Sequence, residues 1–244
     1  CAGIMDTGRL DGVEFSLSDL DEQVMGSYPM GKVSAEKIRK MEDQACPTWG
    51  ACPLMGTANT MQCLSEAVGM TMPGTSTLLA NSSEILRCAK LAGNQIVELI
   101  RQDLKARDIM TLDAMENMIT MMMALGGSTN SVVHILSLAT ELGLDEHITL
   151  DRISQISKST PCLVNVKPNG PYHMTDLERS GGIPEVMREL GKKLNADVKT
   201  VTGQTLQENL EAEEAHAVNR DVIYAADAPI STDGGIAVLY GNLA

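Results

Sequence analysis

The residues best suited to chemistry in this chain lie between Cys46 and Gly69, where three of the six cysteines gather at Cys46, Cys52 and Cys63. The first half, Cys46-Pro47-Thr48-Trp49-Gly50-Ala51-Cys52-Pro53, carries two prolines and a glycine and cannot be helix interior. From about Gly56 onward, Met61, Leu64 and Val68, with the methyls of Ala58 and Ala67, recur at helical spacing. The pattern predicts a rigid loop feeding a helix, with Cys52 just ahead of the helix start. Unpaired N–H groups and the positive end of the macrodipole favour thiolate over thiol there. Cys52 therefore reads as a metal or iron–sulfur ligand. The C-x5-C spacing of Cys46 and Cys52 differs from the C-x2-C of structural zinc sites, and no H-x3-H pair follows, so a closed zinc site is not expected. Isolated cysteines are ordinarily buried apolar thiols. The Pro/Gly frame shifts that balance for Cys52, whereas Cys63 and Cys88 fall inside helical patterns and are expected in the core. Cys1 and Cys162 are assigned nothing.

A second stretch, Gly126-Gly127-Ser128-Thr129-Asn130, sets small and hydroxylic residues at another helix start. Backbone N–H groups and hydroxyls in that arrangement can cradle an oxyanion or phosphate. An ordinary tight turn with Ser128 or Thr129 as N-cap fits the same residues, and on chemistry alone it is preferred. His134 lies one turn after Asn130 and shares its face, although a buried, hydrogen-bonded histidine is the commoner outcome on an apolar helix. His147, His173 and His216 read as loop or surface residues. No tight pair of carboxylates stands out as an acid/base couple.

The elements that must position these residues are mostly helices. Residues 1–13 are glycine-rich and read as a loop. Ser16 to Tyr28 is an amphipathic helix with Leu17, Leu20, Val24 and Met25 on one face, and Ser34 caps a helix to about Gln44. A long helix runs from Ser82 to about Leu104, with Ile85, Ala89, Ala92, Ile96, Leu99 and Ile100 inward. Thr111 caps a methionine-rich helix over 112–124, followed by helices from Ser131 to Leu142 and from Thr149 to about Ser157. Cys162 to Val166 is the first convincing strand, closed by Pro168-Asn169-Gly170-Pro171. Short helices over Thr175–Ser180, 184–194 and Thr205–Glu213 follow, with Pro184 in a favoured first-turn position, and Ile236 to Tyr240 is a final strand. The fold class is α/β, helix-rich, with few strands.

Composition narrows the function. A net charge of −13, from 19 basic and 32 acidic residues, leaves no broad basic surface for nucleic acid or anionic membranes. No uncharged apolar run reaches the length of a membrane span. Six cysteines at irregular spacing do not resemble a small disulfide scaffold; a reduced, cytoplasmic protein is expected. Aromatic residues are only 2% of the chain, so the sixteen methionines must fill part of the core. The chain begins at Cys1 and ends at Ala244 just after a strand-like run, and it reads as a piece of something longer.

Four motifs resemble the dihydroxy-acid dehydratase and phosphogluconate dehydratase family. They are Cys46-Pro47-Thr48 with Gly50-Ala51-Cys52, Met55 and Thr57-Ala58-Asn59-Thr60-Met61; Ala124-Leu125-Gly126-Gly127-Ser128-Thr129-Asn130 with His134; Lys167-Pro168-Asn169-Gly170 with Tyr172, Met174, Asp176-Leu177 and Gly181-Gly182-Ile183-Pro184; and the closing run from Asp233 to Ala244. They occur in the family's order and cover nearly the whole chain.

The resemblance implies residues 1–232 as part of an N-terminal cluster-binding domain, with 233–244 starting or leading to a C-terminal swivelling barrel. It implies an iron–sulfur cluster ([2Fe-2S] or [4Fe-4S]) held by three cysteines from separate loops, with Mg2+ beside it. Cys52 matches one ligand and Cys46 matches more weakly, while Trp49 stands where some relatives carry a cysteine. The family's Cys-Asp-Lys motif, its later Mg2+-binding Glu and its Ser base have no counterpart in this sequence. No catalytic residue is therefore assigned within the chain, and Ser128, Thr129 and Asn130 are the substrate-site candidates.

The implied activity is that of a hydro-lyase converting a 2,3-dihydroxy carboxylate to a 2-oxo acid. Met123 to Gly127 and Pro184-Glu185-Val186-Met187 look like the branched-chain type, and Gly56-Thr57-Ala58 looks partly like the sugar-acid type. Branched-chain dihydroxy-acid dehydratase is the preferred reading. A sugar-acid or 6-phosphogluconate dehydratase, or a non-catalytic interaction fragment, are the alternatives. The isolated chain is expected to be inactive and without a stable cluster, and a homodimer is expected because relatives form one.

Overall fold

A computed structural model of the chain describes residues 3–242. Helices α1 (Leu17–Glu22), α2 (Ala35–Glu42), α3 (Thr57–Ala67), α4 (Ser83–Arg101), α5 (Ala106–Ile109), α6 (Leu112–Leu125), α7 (Asn130–Leu142), α8 (Leu150–Ser159), α9 (Met174–Arg179), α10 (Gly182–Leu190) and α11 (Leu206–Ala212) account for most of the regular structure. Five of the eleven starts follow from side-chain caps: the hydroxyls of Ser34, Ser82, Thr111, Thr149 and Thr205 accept the N–H three residues on. Local chemistry thus fixes where these five helices begin.

Helix α6 is the hub. Its apolar residues run nearly all the way round, and Met115, Ile119, Met121, Met122 and Met123 are completely buried. Helices α3, α7, α8 and α10 pack on it. Flexible methionine side chains fill the gaps that aromatic rings would otherwise occupy. A second, smaller core of Phe15, Leu20, Ile38, Met41 and Ala45 lies under the N-terminal elements.

Several expectations are corrected. The segment Cys162–Val166 is extended and buried but is not a strand of a continuous sheet. Cys162 bridges Ser231, Val164 bridges Ile223 and Val166 bridges Tyr172, so the pairing partner changes every second residue and no ladder grows. The run from Ile236 to Tyr240 likewise forms no strand; Ile236 is anchored through its carbonyl by the Ser157 hydroxyl at 2.6 Å. Among the described residues the only regular strands are β1 (Gly8–Leu10) and β2 (Val13–Phe15), an antiparallel hairpin in the segment read as a loop. Its turn residues Asp11 and Gly12 both have positive φ, the conformation that an Asp-Gly hairpin turn requires.

The helix expected over Ser16–Tyr28 is α-helical only to Glu22 and continues as a π turn, with Leu20 buried but Met25 exposed. The long helix α4 forms as expected, yet none of its residues is buried. Ile85, Ala89, Ala92, Ile96, Leu99 and Ile100 therefore do not point into a core. Amphipathic periodicity made the helix, but no described element covers its apolar side.

Candidate functional site

The loop carrying Cys52 is immobilised at nearly every residue. Ala51 donates its N–H to the Gly3 carbonyl at 3.0 Å, and its own carbonyl accepts from Met5 at 2.7 Å. The Pro53 carbonyl accepts from Met174 N–H at 3.1 Å, and Met55 N–H donates to the Lys167 carbonyl at 2.7 Å. Gly50 has φ of +126°, and a Cβ there would lie 2.5 Å from the Met5 nitrogen, so only glycine fits. The buried Asn59 amide donates to the carbonyls of both Cys52 and Leu54. On this fixed backbone the Cys52 residue is exposed, as is Cys46.

Helix α3 begins at Thr57 with Gly56 as N-cap, four residues beyond Cys52. The sequence expectation of a cysteine directly ahead of the helix end is thereby revised. What links Cys52 to the helix is the side chain of Asn59 in the first turn. Cys63 is buried as expected, and burial followed by the nearby Glu66 pushes its thiol well above the ordinary range. Cys162 is also buried and raised by burial. Cys88 was expected in the core but is only partly covered, because α4 is exposed. Cys1 lies outside the described residues.

The second stretch sits against the same turn of α3. Ser128 N–H donates to Thr60 Oγ1 at 3.0 Å, and the hydroxyls of Ser128 and Thr57 lie 2.9 Å apart. Asn130 donates its side-chain amide to Thr57 Oγ1 at 3.0 Å and its backbone N–H to Ser128 Oγ at 3.3 Å. Gly127 is required here, since a Cβ would meet the Thr60 methyl at 2.7 Å. The backbone N–H groups of Ser128 and Asn130 are thus spent inside the protein. The preferred reading of a tight turn thus describes this loop better than an open N–H cradle, with Thr129 at the N-cap position and the side chains of Thr129 and Asn130 exposed. Thr129 occupies the N-cap of α7 but makes no side-chain cap bond. His134 shares the outer face with Asn130 and is exposed rather than buried.

Sequence reasoning missed a third contribution. His173, read as a surface residue, is buried, with Nε2 3.5 Å from Asp19 Oδ2, while Lys167 pairs with Asp19 Oδ1. Burial alone would raise the Asp19 carboxyl, but hydrogen bonds from Lys167 and Ser16 outweigh it and hold the group at about 2. Lys167 and Met174 are the residues whose backbones grip the Cys52 loop, so this ion pair ties α1 to that grip. The Lys167-Pro168-Asn169-Gly170 turn was the available signal. At the far end of α3, Glu66 is buried and accepts from Gly74 N–H at 2.7 Å, Ser76 N–H at 3.1 Å and the Ser76 hydroxyl at 2.5 Å. Burial outweighs these bonds and pushes its carboxyl up to about 7.

Among the described residues no group of three or more His, Cys, Asp or Glu side chains is placed to hold a metal ion. Two exposed cysteines on one loop, Cys46 and Cys52, are not a complete donor set for a cluster.

Residues 1–209 match the family profile described as dihydroxy-acid/6-phosphogluconate dehydratase N-terminal. A dihydroxy-acid dehydratase of Caldicellulosiruptor saccharolyticus is 44% identical over 244 residues, covering 99% of this chain and 43% of that protein. One from Ruminiclostridium cellulolyticum is 45% identical, covering 96% and 42%, and one from Acetivibrio thermocellus is 46% identical, covering 91% and 40%. The chain spans less than half the length of these relatives.

Proposed function

This chain belongs to the dihydroxy-acid/6-phosphogluconate dehydratase family, and from that membership we propose that it forms part of a hydro-lyase converting a 2,3-dihydroxy carboxylate to a 2-oxo acid. The observation that carries the reading is the shared mounting of two loops on one helical turn. An exposed cysteine sits on one loop, exposed Thr129 and Asn130 sit on the other, and the first turn of α3 holds both.

In this reading Cys52 supplies one thiolate to an iron–sulfur cluster, with Cys46 the weaker candidate. The other ligands, and the Mg2+ site, come from parts of the protein outside the described residues. A cluster held in part by Cys52 would supply Lewis acidity toward the departing hydroxyl. The chain's own residues present and orient. The clamped backbone keeps the Cys52 thiol in one direction, and Thr129 and Asn130 offer hydrogen bonds to substrate oxygens. Thr57 and Ser128 hold Asn130 in place, and Ser128 remains a substrate-site candidate beside it.

The names of the relatives favour a dihydroxy acid over 6-phosphogluconate, and Met123–Gly127 favours the branched-chain type, placing the enzyme in branched-chain amino-acid biosynthesis. Residues 1–232 act as the cluster-binding part and 233–244 as the lead into a further domain. A cytoplasmic location and a homodimeric assembly are part of the same proposal. Among the described residues no helix is long and apolar enough to cross a membrane. The test is Cys52→Ser in the full-length protein. Loss of the cluster's charge-transfer absorption is expected, and a full spectrum with unchanged iron content would refute the ligand role.

A further inference from the structure

Asn59 is the third residue of α3, almost completely buried, and a poor helix former by intrinsic preference. Its amide is not used by the helix. Both contacts of Nδ2 go to the preceding loop, to the Cys52 carbonyl and to the Leu54 carbonyl at 2.6 Å, while Oδ1 accepts from Gln62 Nε2 at 3.2 Å. The two carbonyls straddle Pro53, whose own carbonyl is taken by Met174 N–H. Three successive peptide planes are thereby oriented, two of them by a single side chain.

The consequence for Cys52 is geometric. The orientation of the peptide plane that follows it, together with the Ala51 hydrogen bonds that precede it, sets the direction of its Cα–Cβ bond. Pro53 has no N–H with which to restore that orientation. Removing the Asn59 donors leaves the Cys52 carbonyl without its partner and frees the thiol to swing, whereas the Leu54 carbonyl keeps the Gly56 N–H at 2.8 Å.

We propose that Asn59 is a positioning residue for Cys52, its buried amide fixing the backbone on both sides of Pro53 so that the thiol is presented in a single ligand geometry. The proposal rests on the reading of Cys52 as a cluster ligand. It assigns the orientation of the Cys52 carbonyl, within a loop otherwise held by backbone bonds, to one side chain, much as hydrogen-bonded outer partners orient metal ligands elsewhere, where their loss weakens metal holding roughly 10- to 100-fold.

The test uses Asn59→Asp, which keeps the shape and places a carboxylate in the first turn, where the helix macrodipole favours it, but removes both donors. Thr60→Val is the control. Thr60 is the next residue and equally buried, yet its hydroxyl holds Ser128 rather than Cys52. In cluster-free protein, hydrogen exchange at the hydrogen-bonded loop amides of Ala51 and Met55 is expected to quicken about tenfold in Asn59→Asp, while residues 61–67 of α3 keep their protection. In the cluster-loaded full-length protein, loss of iron to a chelator is expected to be about tenfold faster in Asn59→Asp and near wild type in Thr60→Val.

Wild-type exchange and release in Asn59→Asp would overturn the proposal. So would equal loosening of loop and helix, or equal iron loss in the control. Should Asn59→Asp not accumulate folded, Asn59→Ser, which is smaller and keeps one donor, carries the same comparison with a lesser increase. Cys52→Ser separates the two ideas. A full cluster in that variant ends the ligand reading itself, whereas its absence beside a normal Asn59→Asp ends only the role of Asn59.

Discussion

Helices α6 and α4 start alike and meet opposite surroundings. Each is capped by a hydroxyl, Thr111 accepting from Ala114 N–H at 3.3 Å and Ser82 accepting from Ile85 N–H at 3.2 Å. Each carries apolar residues at helical spacing. From Asn117 to Leu125 every residue of α6 is buried, whereas on α4 Leu86 and Ile100 are 72% and 73% exposed. The difference is partly one of composition. The inner turns of α6 are apolar on all sides, while α4 keeps Arg87, Lys90, Glu98 and Arg101 along one face. Caps and periodicity make a helix; the rest of the chain decides what it touches.

The comparison can be broken most directly in α6. Ile119→Ala removes atoms from a site filled on all sides and is expected to lower the unfolding free energy by about 4 kcal/mol, measured by denaturant titration. A change below about 1 kcal/mol would mean that α6 is not the hub the burial describes.

A second effect follows from the same burial, one helix away at Glu66. Its folded value of about 7 lies above the ordinary 4.5. Between those values the native state binds more protons than the unfolded chain. This contribution to stability is fully present below about pH 4.5 and is lost as pH rises to about 7, a difference of about 3 kcal/mol. Glu66→Gln should flatten that part of the stability–pH curve, and an unchanged slope would show that another group carries it.

The smallest effect is expected on α4. Ile100→Glu should change stability by no more than about 0.5 kcal/mol, since the residue is already in water. A larger loss of melting stability would show that the face is covered in solution, and the contrast with α6 would then sharpen into one between two kinds of burial.

Much of the local fold was legible before any coordinates. Ser34, Ser82, Thr111, Thr149 and Thr205 announced helix starts that the structure contains, because a cap acts over three residues. The Asp11-Gly12 hairpin was equally legible and was overlooked, its turn signal lying inside a glycine-rich run. The segment Cys162–Val166, expected as a strand, is extended. Its failure to join a sheet depends on Ser231, Ile223 and Tyr172, which no local pattern links to it.

The site divides in the same way. Residue types and spacing singled out Cys52 and placed Cys63 in the core, while the family resemblance made Ser128, Thr129 and Asn130 the substrate-site candidates. Only the tertiary structure showed that Ser128 and Asn130 have no free backbone cradle, that His173 is buried beside Asp19, and that Asn59 is the link between cysteine loop and helix. Thr57 and Ser128 are 71 residues apart in sequence yet 2.9 Å apart in space. Capping, turn chemistry and periodicity act within a few residues, so the sequence by itself determined them. Which loops share one turn of α3, and which apolar face goes uncovered, depends on how all the helices pack, and that was decided only by the fold.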